Sequence, residues 1–331
     1  MTCAYLAFTA KGEALACRLA EAVPGEVTRC GGDIRLADWT AAHFDACEAL
    51  VYVGAVGIAV RAVAPHCRSK ATDPAVVAVD ECGRFAVPLL SGHLGGANDL
   101  ARRLAAVCGA VAVVTTATDA NGVFAVDAWA RRQGCTVLET ARIKAVSSAL
   151  LAGETVTAVS DWPVEGETPA GVRLVESGPA DFALTRGSAG EGLHIVPRIG
   201  VLGIGCRRGT THEALEAAFA AFCAEAGLCE SYFAAAASID LKQNEAGLAA
   251  FCAAHGWQVH FYSAEDLRAV SGSFTPSAFV ESVTGVDNVC ERAAVLASGG
   301  KLTTPKRAGG GVTFAAAERP FAPDWRWQDG Q

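Results

Sequence analysis

Short apolar runs alternate with amphipathic stretches along most of the chain. Residues 4–9 and 26–30 read as strands, separated by a helix over 13–23 that sets Leu15 and Leu19 on one face. Residues 49–53 are continuously apolar, as a strand buried on both faces of a parallel sheet should be. Residues 76–79 and 84–89 flank Asp80-Glu81-Cys82-Gly83, which predicts a hairpin. Leu100, Leu104 and Val107 recur at i, i+4 and i+7, one face of a helix, and 111–114 predicts another buried strand.

The pattern restarts at Pro197. A strand over 199–204 feeds a glycine-rich turn, and Thr210 with Glu213 has the spacing of a capping box. Leu215, Phe219 and Phe222 mark the buried face of the next helix. A strand over 233–239, a helix bearing Leu248, Phe251 and Cys252, and a strand over 259–262 follow. Ser263 with Asp266 predicts a helix start, and Asp287 predicts the cap of a helix that ends at Gly299-Gly300. Residues 301–311 read as a loop, and 312–317 as a closing strand. Breakers cluster at 162–169 and 177–179. The expectation is an α/β protein with two Rossmann-like or flavodoxin-like domains, at 1–128 and 197–331, joined by a small middle region at 129–196.

Composition narrows the function. Of 331 residues, 51% are hydrophobic and 19% charged, enough for a sizeable core, and the net charge of −8 argues against non-specific nucleic-acid binding. An anionic ligand would need cations gathered locally. No two of the 13 cysteines lie closer than Cys223 and Cys229, so the C-x-x-C spacing of zinc and thioredoxin sites is absent. Scattered, unpaired thiols predict a reducing, cytoplasmic setting. The start of the chain lacks the basic stretch of a signal peptide, and the apolar run 49–60 is too short to span a membrane.

The candidate chemistry gathers in glycine-rich turns. Val87-Pro88-Leu89-Leu90-Ser91-Gly92-His93-Leu94-Gly95-Gly96-Ala97-Asn98-Asp99 reads as strand, turn and helix start, where free N–H groups and the positive dipole end favour an anion. Thr115-Thr116-Ala117-Thr118-Asp119 ends a predicted strand, and ligands of open α/β sheets sit outside such ends. The loops 54–61, 91–99 and 115–119 are expected to converge there. Leu89 and His93 occupy the outer positions around Ser91, so no nucleophile elbow is present. Gly203-x-Gly205-x-x-x-Gly209 has one residue too many for a dinucleotide fingerprint, and Asp240 is too distant for its ribose contact. The anion-binding reading of that turn survives. Cys206, beside Arg207 and Arg208 at a helix start, is a candidate for a lowered pKa. Arg61, Lys70, Arg207, Arg208, Lys242, Lys306 and Arg307 sit in or beside these loops, and Asp73, Asp80, Glu81, Asp119 and Glu245 supply carboxylates.

Four stretches of the first half, Gly54-Ala-Val-Gly-Ile-Ala-Val-Arg61, Lys70-Ala-Thr-Asp-Pro74, Leu89-Leu-Ser-Gly-His-Leu-Gly-Gly-Ala-Asn98 and Thr115-Thr-Ala-Thr-Asp119, resemble the cobalt-precorrin-5A hydrolase family of anaerobic cobalamin biosynthesis. The second half resembles it through Gly203-Ile-Gly-Cys-Arg-Arg-Gly209, Ser238-Ile-Asp-Leu-Lys242, Glu245 and the Lys306 loop before Val312-Thr313. The likeness covers about 44–130 and 199–317. It implies an enzyme that opens the δ-lactone of a cobalt-containing, ring-contracted tetrapyrrole and releases two carbons as acetaldehyde. It implies a cobalt-corrinoid substrate, with other cobalamin-pathway enzymes as candidate partners, and no cofactor, because the cobalt arrives with the substrate. The expected catalytic set is His93, Asp119 and Ser91, with His93 or Asp119 as base. The expected substrate contacts are Gly54, Gly57, Arg61, Lys70, Gly92, Gly95, Gly96, Asn98, Thr115 and Thr116 in one half, and Gly203, Gly205, Cys206, Arg207, Arg208, Lys242, Glu245 and Lys306 in the other. Both sets are expected to face one cleft. A non-catalytic tetrapyrrole carrier and a nucleotide-dependent oxidoreductase are the alternatives.

Overall fold

The computed structural model describes residues 2–328, which fold as three α/β units in chain order. The first holds β1 (Cys3–Ala7), β2 (Gly25–Arg29), β3 (Ala49–Val53), β4 (Ala75–Val79), β5 (Phe85–Leu90) and β6 (Val111–Ala112) in the order β2-β1-β3-β4-β5-β6. Its helices are α1 (Ala10–Ala22), α2 (Leu36–Phe44), α3 (Val56–Val63), α4 (Ala97–Cys108) and the single turn α5 (Ala117–Ala120). β1, β3 and β4 are buried throughout because alternate side chains enter two separate cores. Cys3, Tyr5 and Ala7 meet Leu15 and Leu19 of α1 and Leu100 and Leu104 of α4, while Ala4 and Leu6 meet the α2 and α3 side. Val107, the third residue of the predicted helix face, is exposed.

Strand direction decides where this unit's loops lie. β1 to β4 are mutually parallel, β5 runs antiparallel to β4, and β6 follows β5. The predicted hairpin at 80–83 is therefore present, and it reverses the chain. Loop 54–56 leaves the edge where β3 and β4 end, whereas 91–97 and 115–119 leave the opposite edge. The expected convergence of all three loops does not occur. The predicted buried strand over 111–114 is two residues long at the sheet margin, with Val111 60% exposed.

The middle region is an α/β unit in its own right. It holds α6 (Val126–Arg132), β7 (Cys135–Val137), α7 (Ile143–Leu151), β8 (Val156–Ser160), β9 (Val172–Leu174), β10 (Phe182–Leu184) and β11 (Leu193–Pro197). The sheet order is β7-β11-β10-β8-β9, parallel except at β7. The expected linker hides a sheet because its strands are short and separated by the very breakers that mark turns. Chain beyond the last strand of the protein returns to this unit. Trp325 stacks on Trp129 at 5.2 Å, and the Trp129 indole N–H donates to Asp324 O at 2.6 Å.

The third unit holds β12 (Gly200–Cys206), α8 (His212–Ala226), β13 (Phe233–Ile239), α9 (Ala246–Ala254), β14 (Gln258–Tyr262), α10 (Ala264–Ala269), α11 (Ala278–Thr284), α12 (Cys290–Ser298), β15 (Lys301–Gly309) and β16 (Val312–Glu318). The order is β14-β13-β12-β16-β15, with β16 antiparallel to both neighbours. Residues 301–309, expected as a loop, form this sheet's outer strand. Leu215, Phe219, Phe222, Leu248, Phe251 and Cys252 are buried as predicted, in one core continuous with that of the middle unit. No helix among the described residues is long and apolar enough to cross a membrane.

Two caps differ from the predicted ones by a single residue. Thr211, not Thr210, caps α8 by accepting from the Ala214 N–H at 3.3 Å, while Thr210 Oγ1 donates to Arg207 O. Asn288 Oδ1, not Asp287, takes the first-turn N–H of Glu291, and Asp287 pairs with Arg292. The Ser263–Asp266 capping box is present. Thr211→Ala is expected to lower stability by about 1 kcal/mol, with Thr210→Ala costing less, in parallel thermal melts.

Candidate functional site

The predicted site residues fall into two groups on different units. In the first unit, β5 delivers the chain to Ser91, which takes φ 55° and whose Oγ donates to Asp73 O at 2.8 Å. This places the 68–74 loop, with Lys70, beside the 91–97 turn. The glycines there serve close approach: a Cβ on Gly92 would lie 2.8 Å from Asn98 Oδ1, and one on Gly96 2.2 Å from the Arg131 guanidinium. Only Gly96 of the three takes positive φ, 85°, as it enters α4. Two of the first amides of α4 are already occupied, Ala97 N–H by Ser91 O and Asn98 N–H by Gly92 O. Gly54, Gly57 and Arg61 stand apart on α3 and the turn before it, and the Arg61 guanidinium folds back onto Gly57 O at 3.2 Å.

His93 and Asp119 do meet. His93 Nε2 lies 2.6 Å from Asp119 Oδ2, and Nδ1 lies 3.0 Å from Asp127 Oδ1 on α6. Serving both carboxylates requires a proton on each ring nitrogen. Burial alone would push His93 down, but the hydrogen bonds and charges of Asp119 and Asp127 outweigh it and raise the pKa to about 9. Asp119 also accepts from Arg102, Thr116 Oγ1, Asn98 Nδ2 at 3.1 Å and Gln328 Nε2 at 3.1 Å. Burial opposes its ionisation, yet the His93, Thr116 and Arg102 hydrogen bonds hold it well below the usual carboxylate range. Asp99 closes the cluster, accepting from Arg102 Nη1 at 3.1 Å and Arg131 Nη1 at 2.8 Å.

Three cations, His93, Arg102 and Arg131, thus balance three carboxylates, Asp99, Asp119 and Asp127, across the seam between the first and middle units. The end of the chain joins them through Gln328. Asp127, Arg131 and Gln328 escape the sequence reading. A signal exists for two of them, since Asp127 and Arg131 stand four apart on one helix face, but nothing in the sequence says which element that face meets.

The second group lies where β12, β13 and β14 end and β16 begins. Arg207 N–H donates to Gly311 O at 3.1 Å. Gly209 N–H donates to Glu245 Oε2 at 2.8 Å, and Lys242 Nζ lies 3.2 Å from Glu245 Oε1. Arg207 and Arg208 are exposed, and among the described residues their guanidinium groups make no hydrogen bond or ion pair. Cys206 does not fit the lowered-pKa expectation: burial pushes its thiol up, against a smaller opposing effect of Lys242. Gly203 and Gly205 are packed inside the unit, a Cβ on either clashing with Cys290 O or Thr313 Oγ1. Lys306 is tethered, its N–H donating to the buried Glu291 at 2.6 Å and its Nζ to Thr275 O at 3.0 Å. Among the described residues no hydrogen bond or ion pair joins this edge to the His93 cluster, and no three His, Cys, Asp or Glu side chains are grouped to hold a metal ion.

The chain matches three family descriptions in sequence: Cobalamin synthesis G N-terminal over residues 38–119, Cobalamin biosynthesis central region over 124–215, and Cobalamin synthesis G C-terminus over 200–317. A three-unit α/β protein of cobalamin synthesis is thereby defined. The chain is 34% identical to a cobalt-precorrin-5A hydrolase of Salmonella typhimurium, over 94% of this chain and 96% of that protein. It is 31% identical to one from Priestia megaterium, over 84% of this chain and 80% of that protein. The crystal structure of a cobalamin biosynthesis protein G homolog from Sulfolobus solfataricus aligns over 96% of this chain and 97% of its own, at 20% identity and a TM-score of 0.42. The chain belongs to the cobalt-precorrin-5A hydrolase family.

Proposed function

We propose that this protein opens the δ-lactone of cobalt-precorrin-5A and releases the two-carbon unit as acetaldehyde. The observation that carries this is the 34% identity to a relative of that name through all three units. Water adds to the lactone carbonyl and the acyl C–O bond breaks, leaving a carboxylate and an alkoxide. The alkoxide oxygen becomes the aldehyde carbonyl as the bond to the macrocycle breaks. The electron pair passes into the conjugated ring, which takes up a proton.

The substrate carries many carboxylates, and Arg207 and Arg208, exposed on a braced turn and with no hydrogen-bonded partner for either guanidinium among the described residues, are the cations suited to receive them. His93, protonated on both nitrogens, and Asp119, with every lone pair engaged, are not bases in this arrangement. In our reading they act by fixing the 91–99 turn against α6. Free main-chain N–H groups of that turn would stabilise the oxyanion, an effect worth roughly 3 kcal/mol per donor in known hydrolases.

Anaerobic incubation with the lactone substrate is expected to yield acetaldehyde and ring-opened product in equal amounts, read by mass spectrometry and aldehyde trapping. Binding of the corrinoid with no acetaldehyde would make the protein a carrier and overturn the assignment.

A further inference from the structure

We infer that Glu245 is a positioning residue, which sets the turn carrying Arg207 and Arg208 by clamping the Gly209 amide. The inference rests on the reading that this edge receives substrate carboxylates. Three observations bear on it.

The first is what Glu245 touches. One carboxylate oxygen takes the Gly209 N–H at 2.8 Å and the other faces Lys242 Nζ at 3.2 Å, with both side chains largely shielded. A carboxylate so engaged is a poor ligand for an anionic substrate, and left unpaired there it would repel one. Its use is internal.

The second is the way the segment is packed. Gly247, two residues on, approaches Thr210 so closely that a Cβ would lie 2.1 Å from Thr210 O. The start of α9 therefore grips the turn at two consecutive residues, Gly209 by hydrogen bond and Thr210 by contact. On the far side, Arg207 N–H donates to Gly311 O, and the Arg207 side-chain stem passes 3.0 Å from where a Gly311 Cβ would be. Thr210 Oγ1 closes the turn internally on Arg207 O at 2.8 Å.

The third is what the bracing leaves free. Lys242 is committed to Glu245, and Lys306 to Thr275, whereas the guanidinium groups of Arg207 and Arg208 have no hydrogen-bonded partner among the described residues. Gly209 takes φ 74°, so the turn depends on a conformation that a side chain would strain. Removing the hydrogen bond that holds its amide should release the arginines and not the fold beneath, since β12 and α8 are anchored by their own cores.

The test compares full-length Arg207→Ala, Glu245→Ala, Glu245→Gln and Glu245→Asp by steady-state acetaldehyde release from cobalt-precorrin-5A under anaerobic conditions. Glu245→Ala is expected to raise KM by about tenfold with kcat nearly unchanged, as loss of uniform binding should. Glu245→Gln keeps an acceptor for Gly209 and is expected to stay within about threefold of the parent. Glu245→Asp keeps the charge but falls one methylene short, and is expected to resemble Glu245→Ala. If Glu245→Ala does not fold, the order of the Gln and Asp variants carries the test: an Asp variant better than the Gln variant would show that charge matters, not reach, and would overturn the inference. A Glu245→Ala enzyme with unchanged KM, beside an Arg207→Ala enzyme with raised KM, would overturn it too and leave the substrate edge standing. Unchanged KM in Arg207→Ala removes the edge itself, and the inference with it.

Discussion

Asp119→Ala is expected to destabilise the protein by about 3–5 kcal/mol, the cost of removing one partner from a buried charge cluster. The size follows from how many donors this one carboxylate serves. His93, Arg102, Thr116, Asn98 and Gln328 all point at it, and its side chain is only 6% exposed. Without it His93 keeps Asp127 and Arg102 keeps Asp99, but the cluster gains an uncompensated positive charge beside a shielded centre, where the His93 and Asp127 side chains are 14% and 8% exposed. Asp119→Asn should cost less than the alanine change, because the amide oxygen can still accept from two or three of the five donors. Denaturant unfolding, followed by the fluorescence of Trp129 and Trp325 and by far-ultraviolet circular dichroism, measures the loss. A change below about 1 kcal/mol for the alanine variant would reduce the cluster to an ordinary surface ion-pair group. The same variant should loosen the contact between the first and middle units, seen as faster amide exchange in α6.

Much of this fold was written in local patterns. The two-sided burial of β3, the strands β1 and β4, the hairpin at 80–83 and, Val107 apart, the faces of α1, α4 and α8 follow from apolar spacing alone. What the spacing could not carry was direction. A strand reads the same whichever way it runs, so the reversal at β5, which moves the 91–99 turn to the opposite edge from the 54–56 loop, was invisible. The middle sheet was hidden for a different reason. β9 and β10 are three residues each, too short to show a period, and lie among Gly and Pro that served only as breakers. The candidate chemistry was legible in part. The proximity of His93 and Asp119 was anticipated, because both sit in polar turns at strand ends. Asp127 and Arg131, which turn the pair into a locked six-charge cluster, come from a neighbouring unit, and no local rule connects α6 to α4. Arg207 and Arg208 stood out correctly as exposed cations on a glycine turn, whereas Cys206 beside them was misjudged, since adjacency in sequence hides that its side chain faces the core.

The second large effect concerns pH, and its sign is fixed by the direction of the His93 shift. The folded pKa, about 9, stands above the ordinary imidazole value of about 6.5. The stabilisation is therefore complete below the unfolded pKa and is lost as pH rises through the folded one. Between pH 7 and 9 the unfolded chain has largely shed this proton while the folded chain gives it up only towards pH 9, so stability should fall by about 1 kcal/mol per pH unit, roughly 2 kcal/mol across the window. Asp119 and Asp127 face the ring, with Asp99, Arg102 and Arg131 behind them, and His93 is the member of this cluster whose shift falls in the window. Buried thiols act in the same direction but later: Cys135, Cys223, Cys252 and Cys290 are pushed up to about 12 by burial, and their unfolded counterparts ionise near pH 9. The comparison is therefore made at pH 7 to 8, between the parent and His93→Gln, by denaturant unfolding at each pH. The parent should show the slope and the variant should be nearly flat. Parallel profiles would mean that the imidazole is neutral in the folded protein, and His93 would then return as a candidate base for the lactone-opening water.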